Sequence, residues 1–499
     1  MVYKRKTTAN RKHHRARVSR SATPAVTVSL AKRAKSTSTH GKSRRQTQRQ
    51  KRYRQVKQRQ SLRAQHQHWA EIARDTQRII LGDGKYFEEK SYSMSFASTA
   101  SAASPSSGNS DGSLLAPRMP MDSSVTMAVA HDIGPHILIS KQGTTFIPHT
   151  HPSLADWRKS SSPASLAKFT TTIDFTHSST TAAARALLLQ HPDLCTQPNR
   201  DLPKSSIGVL SFASPKRPGG GWLHGSNEQE EALARTSSLV ASLQTDHAKE
   251  FYRTHREFLK IDGAGLHDHS MVYSPGVVVF RSDESVGTLS PCTSTQTRNK
   301  SPRRKKKSPS PAPAAATQPQ EASSTTVPSA SSISQSTFIP PFVVNVLSAV
   351  PVNAAAIKQT YSIDSSTAFV FEDGIRETMR TRMARSLRIF QMRGDRALIL
   401  GAFGCGSSEN RVEEVAELWA ELLVTGERPR STDDEAPRTP PAAGDDVEGR
   451  RVFERHGPVF KDVFEHIVFA VPGKLFEPFK RAFEMRLLEA QLSDAITCE

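Results

Sequence analysis

Five apolar runs, each about as long as a β-strand, recur along the chain. They lie at Ile207–Ala213, Val277–Phe280, Phe342–Leu347, Ala397–Leu400 and Ile467–Val471. A shorter strand-like run contains Ile173 and Phe175. Strands that are buried on both faces have this continuous apolar character, whereas half-exposed strands alternate with polar residues. We therefore predict a buried central sheet.

Helical patterns lie between these runs. In the clearest pattern, apolar side chains recur at helical spacing from Ile375 to Phe390, and Gly394 is the predicted C-cap. An Ala- and Leu-rich segment predicts a second helix from about Ser179 to Gln190. Strands that alternate with helices predict a three-layer α/β body.

An amphipathic segment precedes the first of these elements. Its apolar-face residues, followed by two closing glycines, are Trp69, Ile72, Ala73, Thr76, Ile79, Ile80, Gly82 and Gly84. This spacing predicts a helical N-terminal extension, and we place the start of the ordered body at about residue 66.

The first 65 residues differ sharply from the rest in charge. They contain 21 Lys or Arg and no acidic residue, whereas the remaining residues contain 47 basic and 48 acidic side chains. The formal net charge of +20 therefore comes from this segment. Few of its residues are aliphatic, so it cannot bury enough apolar surface to offset chain entropy. We predict a disordered basic tail over residues 1–65.

Three low-complexity stretches interrupt the predicted body over residues 66–499. They are residues 97–125, rich in Ser, Ala and Gly, residues 284–336, with a basic cluster at Arg303–Lys307, and residues 427–450, rich in Pro and acids. Segments of this composition and length are typical of surface insertions, and we predict disorder in all three.

The composition also indicates the cellular compartment of the protein. No apolar run approaches the roughly 18 residues that cross a bilayer, and the basic N-terminus lacks the apolar region of a secretory signal. Four cysteines lie far apart without CxxC spacing. We expect an intracellular protein with neither a disulfide framework nor a zinc module.

The densest chemical signal follows the run Ile207–Ala213. Three glycines, Gly219, Gly220 and Gly221, are followed after seven residues by Gln229, Glu230 and Glu231. Turns without Cβ atoms let backbone N–H groups approach an anion closely, and phosphate is the natural guest. Two adjacent carboxyl groups in one pocket can have divergent pKa values, which provides a general acid near neutral pH. We place the acids at the start of a helix that runs to about Leu243.

Each half of this signal also has an ordinary explanation. Three glycines alone usually form a flexible turn, and two glutamates at a helix start are usually solvated and favoured by the helix dipole. Their combination directly after a buried strand is much more specific.

With this combination, Val209–Leu243 resembles the signature of microbial-type poly(ADP-ribose) glycohydrolases. Further similar stretches are Ile72–Thr76, Gly84–Tyr86, Tyr273–Arg281 and Leu400–Gly406. The resemblance extends from about residue 66 to about residue 490. It implies a macrodomain-like α/β/α fold with a mixed central sheet, and a reaction that needs no cofactor or metal.

The resemblance also implies roles for individual residues. Gly219, Gly220 and Gly221 would pack against the diphosphate and the terminal ribose of the substrate. Glu231 would be the catalytic acid and base, and Glu230 would hydrogen-bond the terminal ribose beside Gln229. The second glycine loop, Gly404, Cys405 and Gly406, would line the other side of the diphosphate. Cys405 could equally be a small buried residue, and we do not assign it as a nucleophile.

Two positions depart from the family pattern. Members often have Asn where this chain has Ser211, and an aromatic residue that orients the terminal ribose where it has Ser408. These changes weaken the case for efficient catalysis more than the case for binding.

The histidines offer a competing chemistry. His267-Asp268-His269 and His149-Thr150-His151 come nearest to metal-ligand spacing, but neither lies in a HExxH frame or beside paired cysteines. We interpret them as polar loop histidines and predict no metal.

Three functions remain open at this stage. The first is hydrolysis of the ribose–ribose O-glycosidic bonds of poly(ADP-ribose), which would release ADP-ribose. This reaction would belong to a DNA damage response in the nucleus, and also in the cytoplasm, with ADP-ribosylated proteins as partners. The second is a macrodomain reader that binds ADP-ribose or chain ends without turnover. The third is a nuclear scaffold tethered to nucleic acid through the basic tail. The paired acids favour the enzyme, because a reader does not need them.

Overall fold

A computed structural model describes most of the chain. The described residues are 40–93, 124–158, 169–196, 203–261, 265–283, 338–361, 363, 368–427 and 457–497. The chain divides into two units, Met1–Ser61 and Leu62–Glu499. Across the described ranges, no helix is both long and apolar enough to span a membrane.

Eleven strands are present in the described residues. They are β1 (Lys85–Ser93), β2 (Ser124–Asp132), β3 (Thr145–Ile147), β4 (Thr172–Thr176), β5 (Cys195–Thr196), β6 (Lys204–Ser205), β7 (Ile207–Phe212), β8 (Met271–Arg281), β9 (Phe338–Ala349), β10 (Ala397–Leu400) and β11 (His466–Ala470). Seven of them form one mixed sheet in the order β3-β8-β9-β7-β10-β11-β4. Every predicted apolar run lies in this sheet, as expected for strands covered on both faces.

The helices cover both faces of the sheet. In the described part of the chain they are α1 (His40–Leu81), α2 (Gly134–Gly143), α3 (Pro152–Ala155), α4 (Thr180–Gln190), α5 (Gln229–Thr236), α6 (Leu239–Leu243), α7 (Asp246–Ile261), α8 (Ala354–Tyr361), α9 (Ala368–Arg393), α10 (Val412–Ala420) and α11 (Phe476–Thr497). The predicted helix ends near residues 179 and 394 are confirmed: Ser179 caps α4, and Gly394 follows α9 with a φ of +77°.

Successive residues of the central strands point into two separate cores. Leu210 and Leu398 belong to the core that contains α9, α10 and α11. Their neighbours Val209 and Ile399 belong to the core that contains α4, α5 and α7. Because side chains alternate across a strand, each strand contributes to both layers. The predicted three-layer α/β/α body with a mixed sheet is therefore confirmed.

The sheet topology gathers several loops at one edge. Strand β7 is parallel to both β9 and β10, so the three strands end on the same side of the sheet. Strand β8 is antiparallel to β9 and pairs Met271 with Ala349, so the loop before β8 reaches this side as well. We call this side the carboxyl edge.

The structure differs from the prediction in two elements. The helix α1 begins at His40, so part of the segment that was predicted to be disordered is helical. Residues 42–65 contain no Pro or Gly and are rich in Gln, Arg and Lys, which are good helix formers. Residues 1–39 lie outside the described residues, as do residues 284–336 and nearly all of the insertions predicted at 97–125 and 427–450.

The predicted helix from Gln229 to Leu243 is also broken into two, α5 and α6. Between them, Ser237 forms a bridge with Val279, and the Ser238 N–H donates to the Val278 carbonyl at 2.8 Å. The backbone therefore leaves the helix to hydrogen-bond to β8.

Candidate active site

A cavity of about 310 Å³ opens at the carboxyl edge. Its lining comes from the loops after β7, β9 and β10, from the start of α5 and from the loop before β8: Phe212–Lys216, Glu228–Glu231, His267, Val350, Pro351, Asn353, Gly404 and Gly406–Ser408. The paired acids and the second glycine loop thus face one space, but Gly219, Gly220 and Gly221 do not line it.

Glu230 is buried, with 2% of its surface exposed. Its carboxylate accepts hydrogen bonds from the Ser214 N–H at 2.7 Å and the Gly219 N–H at 3.2 Å. Burial raises the pKa of Glu230 well above its usual range, against the effect of these amides, and the neighbouring Glu231 charge adds to the rise. Glu230 therefore keeps a proton to higher pH than an exposed glutamate does.

Glu231 is buried beside it, with 8% exposed. Its Oε1 accepts the Gly221 N–H at 2.9 Å. Both acids lie in the first turn of α5, where unpaired N–H groups favour negative charge. The structure therefore brings the two predicted carboxyl groups together at the cavity wall.

The triple glycine shapes the wall behind these acids. Gly219 and Gly220 have φ values of +69° and +56°, which favour glycine. A Cβ on Gly220 would lie 2.4 Å from Glu231 Oε1, and one on Gly221 would lie 2.4 Å from Ser226 Oγ. The glycines thus let the turn pack tightly against the acids and their supporting loop.

The amides of this turn already have acceptors. The N–H groups of Gly219 and Gly221 donate to the two glutamates, and the Gly220 N–H donates to the Arg217 carbonyl at 3.1 Å. The turn therefore binds the protein's own carboxylates in the way that we expected it to bind phosphate. Contact of these glycines with a diphosphate stays a prediction.

Gln229 holds the end of β7. Its Nε2 donates to the Leu210 carbonyl at 2.9 Å and to Thr180 Oγ1 at 3.2 Å, and its Oε1 accepts the Phe212 N–H at 2.9 Å. The side chain joins α5 to β7 and so fixes where the acids lie. Its predicted contact with substrate stays a prediction.

The second glycine loop also contributes to the cavity lining. Gly404 has a φ of +73°, and Gly406 belongs to the lining. Cys405 is buried, and burial raises the pKa of its thiol to about 12. A thiol with this pKa is almost wholly protonated at neutral pH, so it is a poor nucleophile.

Glu228 connects the two loops and was missed in the sequence. Its carboxylate accepts the backbone N–H of Ser407, and its Oε2 lies 2.8 Å from the position of a Cβ on Gly406. Burial raises the pKa of Glu228, and the Glu231 charge raises it further. Pattern reasoning gave no signal for this contact, because it joins residues that are far apart in the chain.

The helix α1 supports the acids from behind. The Arg235 guanidinium lies 5.2 Å from the Trp69 ring, and Thr76 donates a hydrogen bond to the Arg235 carbonyl at 2.7 Å. Arg235 in turn donates to the Ser226 carbonyl at 2.6 Å. The predicted N-terminal extension thus contacts both α5 and the loop before it.

The histidine interpretation needs a correction. His267 is buried and lines the cavity, so it is not a polar loop residue. His149 is more exposed, and its Nδ1 lies 2.8 Å from Asp268. In the described ranges, no group of three or more His, Cys, Asp or Glu side chains is arranged to hold a metal ion.

The two departures from the family pattern also lie at this edge. Ser211 is fully buried on β7, and its hydroxyl has no hydrogen-bond partner among the described residues. Ser408 lines the cavity. The effect of either residue on turnover stays untested.

A buried glutamate pair beside a cavity, at the carboxyl edge of a mixed sheet, defines a three-layer α/β protein with a candidate hydrolytic site. Residues 125–282 match the family model described as microbial-type PARG, catalytic domain, where PARG is poly(ADP-ribose) glycohydrolase. This part of the chain is therefore similar to such a domain. The match includes the triple glycine and the paired acids, and it confirms the predicted family and the catalytic class.

A solved structure agrees with the fold. The poly(ADP-ribose) glycohydrolase of Thermomonospora curvata is 24% identical and aligns over 84% of this chain and 99% of its own, with a TM-score of 0.50. The enzyme of Deinococcus radiodurans in complex with ADP-ribose is 24% identical over 71% of this chain and 97% of its own, with a TM-score of 0.45. No curated relative matches the chain.

Proposed function

We propose that this protein hydrolyses the ribose–ribose O-glycosidic bonds of poly(ADP-ribose) and releases ADP-ribose, with Glu231 as general acid and base. The observation that supports it most is the buried Glu230–Glu231 pair, which lies within the segment that matches the catalytic family and lines a cavity. The family match supplies the substrate class, and the pair supplies groups suited to glycoside chemistry.

The reaction needs two proton transfers at one bond. In the first, Glu231 protonates the departing ribose oxygen while the bond to the anomeric carbon breaks through an oxocarbenium-like transition state. In the second, the resulting carboxylate accepts a proton from the attacking water. Glu231 must therefore be protonated at the start of the first transfer, and Glu230 hydrogen-bonds the terminal ribose.

The cavity walls would position the substrate. The loop of Gly404–Gly406 lies opposite the acids and offers backbone that can approach a diphosphate closely. Fixing the sugar against the two carboxyl groups would lower the entropic barrier of the reaction. Neither transfer requires a metal.

The experiment that tests this proposal separates turnover from binding. Purified full-length protein is incubated with poly(ADP-ribose), and free ADP-ribose is measured over time alongside polymer binding. The proposal predicts release of ADP-ribose. Tight binding without release would favour the reader, and neither binding nor release would overturn both functions.

The basic segment has a separate proposed role. We propose that residues 1–65 act as a nuclear address and as an electrostatic tether to nucleic acid, supported by their 21 basic and no acidic residues. The basic cluster at Arg303–Lys307 would contribute to the same address.

A further inference from the structure

His267 occupies a position that the mechanism above does not use. It lies in the loop before β8, four residues ahead of Met271, which pairs with Ala349 at the end of β9. This register brings His267 to the carboxyl edge, where it lines the same cavity as Glu230 and Glu231. The only other described non-glycine residues with positive φ are Glu409 and Asp462, and neither lines that cavity.

The backbone at His267 is held in an unfavourable conformation. Its φ of +57° lies in the left-handed region, which is uncommon for residues other than glycine. Arg382, itself 1% exposed, fixes the loop by donating to the carbonyls of Leu266 at 2.8 Å and His267 at 2.9 Å. The surrounding structure thus imposes the strain, and strain of this kind concentrates at functional sites.

The imidazole is buried and neutral. His267 is 6% exposed, and burial, assisted by the nearby Arg382 charge, lowers its pKa to about 3. A neutral imidazole carries one proton, on either Nδ1 or Nε2. The position of that proton decides what the ring can offer a ligand.

The surroundings of the ring select one tautomer. Nδ1 is sealed from solvent and has no hydrogen-bond partner, and Nε2 forms no hydrogen bond within the described residues but is not sealed. A buried N–H without an acceptor is less tolerated than an acceptor without a donor. The proton therefore belongs on Nε2, the ring nitrogen that is not sealed from solvent.

We propose that His267 is a substrate-binding residue whose neutral Nε2–H donates a hydrogen bond to an oxygen of the ADP-ribose unit in the cavity. This inference rests on the proposed function, which supplies the ligand. It assigns a donor to the wall formed by the loop before β8, whereas Glu228, Glu230 and Glu231 offer carboxyl groups from the start of α5.

Two substitutions separate the ring nitrogens. Asn places its amide near the position of Nδ1 and adopts positive φ more readily than most residues, so His267→Asn keeps the fold but removes the donor at Nε2. Gln reaches the position of Nε2. We expect His267→Asn to weaken ADP-ribose binding by about 3- to 10-fold and to raise KM similarly, whereas His267→Gln stays closer to the wild type.

His269→Asn is the matched control. His269 lies two residues away, and burial together with the same Arg382 charge lowers its pKa to about 2, but it does not line the cavity. Its substitution should leave ADP-ribose affinity unchanged. In the wild type, ADP-ribose should also shift the Nε2 resonance of His267 in a ¹⁵N spectrum, a readout that does not depend on how the variants fold.

The outcomes distinguish this inference from the proposed function. If the wild type binds and releases ADP-ribose but His267→Asn does so equally well, the inference alone is wrong. The inference would also be wrong if His267→Asn and His267→Gln lost the same amount of ADP-ribose affinity, both had lowered melting temperatures, and the wild-type resonance did not shift. His267 would then have only a packing role. If the wild type neither binds nor releases ADP-ribose, the proposed function fails and this inference fails with it.

Discussion

At the scale of single residues, the site is built from carboxylates that are held by backbone amides. Glu230 and Glu231 accept hydrogen bonds from the N–H groups of Gly219 and Gly221. The glycine turn therefore fixes the acids, and these amides are not free. Glu228 accepts a hydrogen bond from the Ser407 N–H, which follows the second glycine loop. A substrate diphosphate would therefore meet a negative group at the second loop.

Substituting Glu228 tests whether its negative charge opposes diphosphate binding at the second loop. Glu228→Gln removes the charge from beside Gly406 and weakens the hold on the Ser407 N–H. Because one like charge at close range near the surface contributes about 1 kcal/mol or more, we expect ADP-ribose to bind roughly 3- to 10-fold more tightly. Isothermal titration calorimetry at low salt measures the change.

Glu409→Gln is the control for this substitution. It removes the same charge from an exposed residue that follows the second glycine loop and does not line the cavity. Equal effects of the two variants would point to general charge rather than to the contact between Glu228 and the loop.

Sequence reasoning singled out the acids and both glycine loops, because these residues form compact motifs along the chain, and the structure places the acids and the second loop at one cavity. It could not identify Glu228 or the burial of His267. The Ser407 N–H lies 179 positions from Glu228, and the chain around His267 is polar, which favours a loop on the surface. Only the meeting of β8, β9 and β7 at the carboxyl edge places these residues at the cavity.

At the scale of elements, α1 and α5 act as one support for the acids. Gly225, in the loop before α5, has a φ of +77°, and a Cβ added there would lie 1.9 Å from the His66 carbonyl oxygen. The contact joins α1 directly to the loop that precedes the acids.

The substitution Gly225→Ala tests this support against a matched control. Gly276 also has a positive φ, +63°, but a Cβ there meets nothing within 4 Å. Gly276→Ala should destabilise by the conformational cost alone, about 1–2 kcal/mol. Gly225→Ala must also displace α1, so we expect a larger loss of stability in chemical denaturation and a lower turnover. Equal losses in the two variants would show that the contact with α1 contributes nothing.

The strands were predicted more accurately than the helix breaks. A strand such as Ala397–Leu400 is covered on both faces, so its apolar run and its limits coincide. The break between α5 and α6 has no such signal, because Leu233, Val240 and Leu243 continue the apolar pattern through it. The break is caused by the pairing of Ser237 with Val279, which is a tertiary contact and therefore has no local pattern in the sequence.

At the scale of the whole molecule, charge separates along the chain. Residues 1–61 contain 20 basic side chains and no acid, which leaves 48 basic and 48 acidic residues in the unit Leu62–Glu499. The predicted site residues all belong to this electrically balanced unit.

Truncation at the boundary between the units tests that separation. Deleting residues 1–61 should leave turnover of a short, freely diffusing substrate within a factor of about two, while salt-sensitive affinity for nucleic acid and nuclear enrichment fall. Deleting residues 1–69 also removes His66 and Trp69, which contact the loop before α5 and Arg235, and should reduce turnover. Loss of turnover in the shorter deletion would show that the basic segment takes part in catalysis.

The most direct test of the account is the turnover of Glu231→Gln in the full-length protein. The amide keeps the shape of the side chain but cannot donate and accept the proton, so release of ADP-ribose from poly(ADP-ribose) should fall by about 10² or more. Binding of ADP-ribose, measured in parallel, should persist. Turnover close to that of the wild type in a variant that binds normally would contradict the assignment of Glu231 as the acid and base.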